Sequence, residues 1–317
     1  MFNGYIVLMT YAIETKDLNY SFAYGRKVVN DLSLQVPEES IYGFLGPNGA
    51  GKTTTIRLLT GMLLSDRDNI FLHGQSLQRG MPGIFQSLGA LIETPSIYGH
   101  LSGRENLKVI TTLRGLDSKC IDKYLAIVGL SDAAHRKARE YSLGMKQRLG
   151  IAAALLPDPS LLILDEPANG LDPNGIIEIR ELLKTLNREH GKTVFVSSHL
   201  LAEIEKTCTH IGIIHRGVLR YQGTLEEMKR SALASGEVIF RVPGAGKWML
   251  RVQALFADAR LQSNDEIIFP FSDAAQVTRI NRQLVEHDIP VLGIQVHGGL
   301  EEWFMQVIGR EQRKGVA

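Results

Sequence analysis

The sequence predicts an α/β fold with a central parallel sheet, followed by a small C-terminal α+β domain. Residues 46–53, GPNGAGKT, fit the phosphate-loop pattern G-x-x-x-x-G-K-[ST] at every constrained position. The apolar run Ile41–Leu45 precedes this loop and a helical pattern follows it, which is the context the motif needs. The runs Leu161–Leu164 and Thr193–Ser197 are uniformly apolar, as in parallel strands covered on both faces. Residues 176–190 between them have helical periodicity, so strand, helix and strand alternate.

The glycine-rich loop carries the chemistry of a nucleotide site. Its glycines let consecutive backbone N–H groups converge on phosphate oxygens, and the following helix N-terminus adds partial positive charge. Lys52 supplies a full charge to the β- and γ-phosphates, and Thr53 supplies a hydroxyl to Mg²⁺. We therefore predict a nucleoside triphosphate site with Mg²⁺ rather than an ordinary glycine turn. Its predicted loop residues are Gly46, Asn48, Gly49, Gly51, Lys52, Thr53 and Thr54.

Two carboxylates follow the apolar strand Leu161–Leu164. The carboxyl end of such a strand meets the phosphate crevice in α/β folds. We therefore expect Asp165 to hold Mg²⁺ through its water shell, as a hard oxygen ligand for a hard cation. Glu166 is the expected general base, polarising the water that attacks the γ-phosphate. An acidic pair alone indicates only a solvated turn, but downstream of a phosphate loop it indicates catalysis.

Composition restricts the partners of this protein. The 317 residues carry a net charge of +1 with no basic run, so we expect no nucleic-acid partner. The two cysteines stand far apart, as is usual in a reducing compartment. No apolar stretch is long enough to cross a bilayer, so a membrane role requires another chain. The apolar segment Tyr5–Met9 lacks the features of a signal peptide, and one interpretation is that Met9 is the natural start.

Further ordered motifs indicate a family. Residues 141–148, YSLGMKQR, resemble the signature sequence of ABC ATPases, with Ser142 and Gly144 in the expected places. Residues 169–173, NGLDP, resemble the D-loop, and residues 197–199, SSH, resemble the switch segment. Together with the phosphate loop and the acidic pair, these motifs resemble an ABC ATPase over residues 12–230. That resemblance implies a P-loop NTPase core with an antiparallel β subdomain and a helical subdomain.

The resemblance also implies roles for individual residues. Ser142 and Gly144 of one subunit would close over ATP held by a second subunit, and Asp172 would belong to the D-loop. His199 would reach the γ-phosphate. Tyr24 would stack on the adenine ring, with Phe22 as a rival for that role.

The chain departs from the usual pattern of the family at two positions. Glu93 stands where these ATPases usually carry a glutamine, and Gln86 lies too early to replace it. A carboxylate there could still ligate Mg²⁺ or orient water, but it adds negative charge beside the phosphates. Our hypothesis is that Glu93 tunes the coupling between nucleotide and membrane partner, and a neutral substitution in a contact loop is the alternative. Leu143 stands where many relatives have glycine, which leaves Ser142 and Gly144 intact. Glu93 together with this signature resembles the ATPases of bacitracin-resistance and lantibiotic-immunity exporters.

The tail, residues 231–317, is predicted to be a small accessory domain without a catalytic constellation. It has β-type runs at Val238–Phe240, Ile267–Phe269 and Val291–Ile294, and helical patterns over residues 273–287 and 300–308. Leu300, Trp303, Phe304 and Ile308 would form one apolar helix face, suited to docking.

The resemblance implies a function at the membrane. We expect an ATPase subunit that powers an exporter of a peptide antibiotic, of bacitracin or lantibiotic type, or of a similar amphiphile. Its expected partners are a second ATPase subunit, in a homodimer, and an integral membrane permease that holds it at the cytoplasmic face. A soluble ABC ATPase acting on ribosomes or DNA, and the ATPase of an importer, are the alternatives.

Overall fold

The computed structural model describes residues 10–22, 25, 27–234, 236–271, 273–297 and 299–309. The chain divides into two compact units, residues 1–223 and 224–317. The domain boundary predicted between residues 230 and 231 falls inside a helix, Leu225–Ala234, and it stays a prediction. No helix among the described residues combines the length and apolar character needed to span a bilayer.

The described residues of the first unit form three sheets. Its strands are β1 Tyr11–Thr15, β2 Leu18–Ser21, β3 Lys27–Leu32, β4 Gln35–Pro37, β5 Ile41–Leu45, β6 Ile70–Leu72, β7 Gln75–Ser76, β8 Leu88–Leu91, β9 Leu161–Leu164, β10 Thr193–Ser198, β11 His210–His215 and β12 Val218–Thr224. The main sheet has the order β12-β11-β5-β10-β9-β8, and the pairs from β11 to β8 are parallel. The smaller sheets, β4-β1-β6-β7 and β2-β3, are antiparallel. Both strand types were predicted, and the α/β fold is confirmed.

The helices of the first unit lie between these strands. They are α1 Lys52–Leu59, α2 Leu77–Gly80, α3 Gly103–Arg114, α4 Cys120–Ile127, α5 Leu143–Leu155, α6 Pro173–Arg188 and α7 Leu201–Thr207. Helix α3 is followed by Gly115, which adopts a left-handed conformation with φ 65°, a common way for a helix to end. Helices α3, α4 and α5 contact one another and form a helical group after β8.

Burial and strand register in the main sheet bring the ends of three strands together. Strand β5 is buried at all five positions, and its Tyr42 and Phe44 pack against Phe195 of β10, with ring centroids 5.6 and 5.3 Å apart. The register pairs Ser198 with Leu45 and Val196 with Leu164. Because parallel strands end at the same edge, the residues after β5, β9 and β10 meet there.

The second unit, after the opening helix α8 Leu225–Ala234, has the order β-α-β-β-α-β. Its elements are β13 Gly236–Arg241, α9 Ala245–Leu255, β14 Arg260–Ser263, β15 Glu266–Phe271, α10 Ala274–Glu286, β16 Gly293–His297 and α11 Leu300–Gly309. The antiparallel sheet has the order β14-β15-β13-β16, and its core includes Phe240, Phe269 and Leu284. Helix α11 contacts α8, and its Trp303 is buried.

Sequence reasoning missed part of the second unit. Helix α9 and strand β14 were not predicted, because Gly244 and Gly246 obscure the start of the helix and all four residues of β14 are exposed. Strand β16 begins at Gly293, so the apolar residues Val291 and Leu292 precede it.

Candidate nucleotide-binding site

The phosphate loop connects β5 to α1 and is closely packed on its inner side. A Cβ added at Gly46 would lie 2.4 Å from the carbonyl oxygen of Ile214. Gly51 has φ 110°, and a Cβ there would lie 2.9 Å from the carbonyl oxygen of Val28. Side chains are excluded at both positions for steric reasons, and Gly51 also has a conformation that favours glycine. The loop therefore presents backbone rather than side chains.

The start of α1 fits an anionic ligand. Gly51 is its N-cap and offers no side-chain cap. The first N–H groups of a helix have no partner within the helix, so those of α1 are available to phosphate oxygens. The helix dipole favours negative charge at the same place.

Lys52 supplies the positive charge of the site. Its side chain is only 5% exposed, and its ammonium group lies 2.8 Å from the Gly46 oxygen and 3.3 Å from the Pro47 oxygen. It also pairs with Glu166 at 3.2 Å. A buried ammonium group needs such oxygen partners, and triphosphate oxygens can take their place. The loop, the helix start and Lys52 together fit a nucleoside triphosphate.

Asp165, at the end of β9, is the centre of a hydrogen-bonded network. It is buried, and it accepts hydrogen bonds from Thr53 Oγ1 at 2.7 Å and from Ser197 Oγ at 2.5 Å. Ser197 in turn accepts the Glu166 N–H at 2.9 Å. Sequence reasoning gave Ser197 no role of its own. Its signal is positional, because it lies near the end of β10, which pairs with the strand that leads into Asp165.

Glu166 is held by two charged or polar partners. One carboxylate oxygen pairs with Lys52, and the other lies 3.0 Å from Nδ1 of His199. The backbone of Glu166 has φ 46°, a conformation unusual for a residue with a side chain. Such backbone strain persists where the surroundings enforce it, and it is common at functional sites. The structure thus brings Lys52, Thr53, Asp165, Glu166 and His199 together.

Few side chains beside the phosphate loop could bind a metal ion. No cluster of three or more His, Cys, Asp or Glu residues fits a metal ion within the described part of the chain. The oxygens of Thr53 and Asp165 nevertheless lie beside the phosphate loop. This set suits Mg²⁺, which is usually held by one or two carboxylates, water and substrate phosphates.

A cavity of about 310 Å³ opens over the phosphate loop. It is lined by Phe22, Val28, Asn48, Gly49, Gly51, Lys52, Thr53, Thr54 and Glu166. Phe22 packs edge-on against Tyr20, with ring centroids 5.1 Å apart, and is partly exposed. The proposed base-stacking residue Tyr24 lies outside the described residues, whereas its rival Phe22 lines the cavity.

The signature residues lie in a different place. Ser142 caps α5 by accepting the Met145 N–H at 3.2 Å, and Asp172 caps α6 by accepting the Gly175 N–H at 3.1 Å. Ser142, Gly144 and Asp172 line a shared groove of about 480 Å³. None of the three is among the described residues that line the phosphate-loop cavity. A single copy of the chain therefore separates the two groups of predicted residues.

Glu93 has a partner that sequence reasoning missed. It follows β8, is 60% exposed, and pairs with the guanidinium of Arg57 on α1. Its role as a metal ligand stays a prediction.

Comparison with known proteins identifies the family. Residues 29–169 match the family model of ABC transporters. Over 304 residues the chain is 40% identical to the bacitracin transport ATP-binding protein BcrA of Bacillus licheniformis, covering 95% of this chain and 98% of that protein. The chain belongs to the ABC transporter ATP-binding family. This ABC ATPase is also 40% identical over 217 residues to the lantibiotic transport ATP-binding protein SrtF of Streptococcus pyogenes, covering 66% of the chain and 93% of that protein.

Solved structures agree with this family. A solved ATP-binding subunit of an ABC transporter matches with a TM-score of 0.61 at 30% identity, covering 69% of the ABC ATPase and 92% of that chain. A subunit of the cbiONQ transporter complex of Clostridium perfringens matches with a TM-score of 0.65 at 24% identity, covering 78% and 95%. The latter supports the fold alone.

The family establishes the general activity. The protein binds ATP and hydrolyses it to power transport, as predicted from the phosphate loop and the signature. Its place as an ATP-binding subunit implies a membrane permease as partner. A soluble ABC ATPase acting on ribosomes or DNA is not favoured.

Proposed function

We propose that this ABC ATPase drives the export of a peptide antibiotic of bacitracin or lantibiotic type, or of a similar amphiphile. The observation that carries the proposal is similarity over almost the whole chain, including the second unit, to bacitracin transport ATP-binding proteins from two organisms. Glu93 and the signature sequence resemble the same group of exporters. Export, rather than the import alternative, is the direction that this resemblance favours.

Glu166 is the proposed general base for the attacking water. Its carboxylate lies between Lys52 and His199, and Glu166 lines the cavity over the phosphate loop. Lys52 would release its contact with Glu166 when its charge is shared with the γ-phosphate. His199 uses Nδ1 toward Glu166, so Nε2 is the nitrogen that would meet a phosphate oxygen. Thr53 and Asp165 would hold Mg²⁺, which would neutralise charge on the β- and γ-phosphates.

The working unit is proposed to be a head-to-tail homodimer. One chain holds Lys52 and Glu166 at one place and Ser142 and Gly144 at another. A second copy related by a two-fold axis would supply the missing group to each site, giving two identical sites. ATP would favour the closed pair, because only that state makes both sets of phosphate contacts. The pair would bind the permease at the cytoplasmic face of the membrane, and we expect no nucleic-acid partner.

The Glu166→Gln variant tests the general-base role. Glutamine keeps the size and hydrogen-bonding capacity of the side chain but cannot accept a proton. We expect ATP binding to survive while turnover falls about 100-fold or more. Steady-state hydrolysis and equilibrium binding of ATP measure the two effects. Hydrolysis within about twofold of the unmodified protein would refute the role of Glu166.

The same variant tests the transport partner. We expect the tagged Glu166→Gln protein, purified with ATP from detergent-solubilised membranes of its own organism, to retain a polytopic permease in comparable amount. Mass spectrometry identifies the permease, and deletion of its gene should raise sensitivity to the exported peptide. Ribosomal proteins in place of a permease would contradict the export proposal. Permease deletion without any change in peptide sensitivity would contradict the proposed cargo.

A further inference from the structure

Helix α1 carries two polar contacts on one face. Thr53 and Arg57 are four residues apart, so they lie on the same side of the helix, about 6 Å apart along its axis. Thr53 donates a hydrogen bond to Asp165, and Arg57 pairs with Glu93. The helix that begins at the phosphate loop therefore contacts two carboxylates, one turn apart.

The two carboxylates follow neighbouring strands. Strands β8 and β9 are parallel, with Leu91 opposite Leu164, and the Asp165 N–H donates to the Leu91 oxygen at 2.9 Å. Glu93 therefore follows its strand at the same edge of the sheet at which Asp165 follows the neighbouring one. This arrangement places a third carboxylate, besides those of Asp165 and Glu166, at the carboxyl edge of the sheet.

Packing does not fix the Glu93 side chain. It is 60% exposed and its backbone has φ 63°, so it is held neither by burial nor by a regular strand. Glu93 forms an ion pair with Arg57, whose side chain is 36% exposed. Exposed pairs of this kind add little to stability. The ion pair therefore adds little to the free energy of unfolding. Its effect is to hold the Glu93 carboxylate in place and to balance its charge.

The charge of Glu93 matters because ATP brings further negative charge to this edge. Lys52 pairs with Glu166, whereas Glu93 pairs with Arg57. At the effective dielectric of a protein surface, repulsion between two unit negative charges about 12 Å apart weakens binding by about tenfold. A guanidinium paired with Glu93 cancels that repulsion.

We propose that Arg57 is a positioning residue that holds and neutralises the Glu93 carboxylate one helical turn from the Thr53–Asp165 contact, so that a glutamate is compatible with nucleotide binding there. Arg57 acts through Glu93 and not directly on the nucleotide. The proposal rests on ATP binding at the phosphate loop, and it is independent of whether Glu166 is the general base.

A double-mutant cycle on the purified full chain tests the proposal. We expect Arg57→Gln to raise the KM for ATP, at saturating Mg²⁺, by about tenfold with a smaller change in kcat. In Arg57→Gln/Glu93→Gln the KM should return to that of Glu93→Gln, because a neutral amide needs no counter-charge. Arg57→Lys should retain most of the affinity, since it keeps the positive charge.

A second exposed pair supplies the matched control. Arg104 and Asp122 also form an ion pair, and their exposures of 37% and 66% resemble those of Arg57 and Glu93. Arg104→Gln should leave KM unchanged, and thermal unfolding should show that all variants are folded. An unchanged KM in Arg57→Gln would overturn the proposal. A KM that stays raised in the double variant would also overturn it, because Arg57 would then act without Glu93.

Discussion

Ser197 shows how one small side chain organises the catalytic residues. Its hydroxyl donates to Asp165 at 2.5 Å and accepts the Glu166 N–H at 2.9 Å, and it is completely buried. The hydroxyl therefore fixes both the proposed metal-binding carboxylate and the strained backbone of Glu166. Buried polar networks of this kind hold a single geometry only when every member is satisfied.

Replacement of Ser197 by alanine should impair both stability and turnover. Ser197→Ala leaves the Glu166 N–H and one Asp165 oxygen without this buried partner, which costs about 1–3 kcal/mol of unfolding free energy. We also expect kcat to fall, because Glu166 loses the contact that positions its backbone. Chemical denaturation and steady-state ATP hydrolysis measure the two effects.

Ser198→Ala is the matched control for Ser197→Ala. Ser198 lies next in the chain. Within the described part of the chain its hydroxyl forms hydrogen bonds with the backbone of Leu200. Equal effects of the two substitutions on kcat would contradict a specific role for Ser197.

At the level of elements, the helices of the site differ in how their N-termini are capped. The side chains of Ser142 and Asp172 cap α5 and α6, whereas Gly51, the N-cap of α1, provides no side-chain cap. This difference fits the proposed roles, because α1 keeps its N–H groups for phosphate. Helix α3 has a reciprocal capping box between Ser102 and Glu105.

The capping box predicts how α3 responds to mutation and pH. Ser102→Ala should lower the unfolding free energy by about 1 kcal/mol, whereas Ser118→Ala, at an exposed loop position, should have little effect.

The Ser102 N–H donates to Glu105 and lowers the pKa of that carboxyl from 4.5 to about 2. A lowered pKa stabilises the fold above the unfolded-state value, so this contribution should disappear between about pH 4.5 and pH 2. The unfolding free energies of the unmodified protein and of Glu105→Gln, measured by denaturation across that pH range, test this prediction. No difference between the two proteins would contradict the capping box.

At the level of the whole molecule, the separation of the two groups of site residues is the main feature. The cavity over the phosphate loop and the groove of Ser142, Gly144 and Asp172 have no lining residue in common. An isolated chain therefore contains half of each proposed site. Assembly of two copies is the proposed way to complete them, and it makes hydrolysis depend on dimer formation.

Complementation between two inactive variants tests this assembly. Lys52→Ala removes the phosphate-binding charge, and Ser142→Arg blocks the signature groove, so each homodimer should be inactive. In a mixed dimer one site contains Lys52 of one copy and Ser142 of the other, and it is intact. We expect differently tagged variants, co-expressed and purified through both tags, to hydrolyse ATP. A mixed dimer as inactive as its parents would contradict the head-to-tail arrangement.

The sequence by itself determined the family, the α/β fold and the nucleotide chemistry. These rest on local patterns: the phosphate loop requires particular residues at fixed spacing, and buried parallel strands are uniformly apolar. The order of motifs along the chain also determined which residues were candidates for the site. In contrast, Gly244 and Gly246 weakened the local pattern of α9, and the sequence did not predict this helix.

Only the tertiary structure decided which distant residues meet. Ser197 contacts Asp165 across 32 positions, and Arg57 contacts Glu93 across 36, because parallel strand ends and one helix face converge at a single edge. No local pattern encodes such pairs. The separation of Ser142 from Lys52 is likewise a property of the folded chain, since it depends on where α5 and α1 begin in space rather than on their order in sequence.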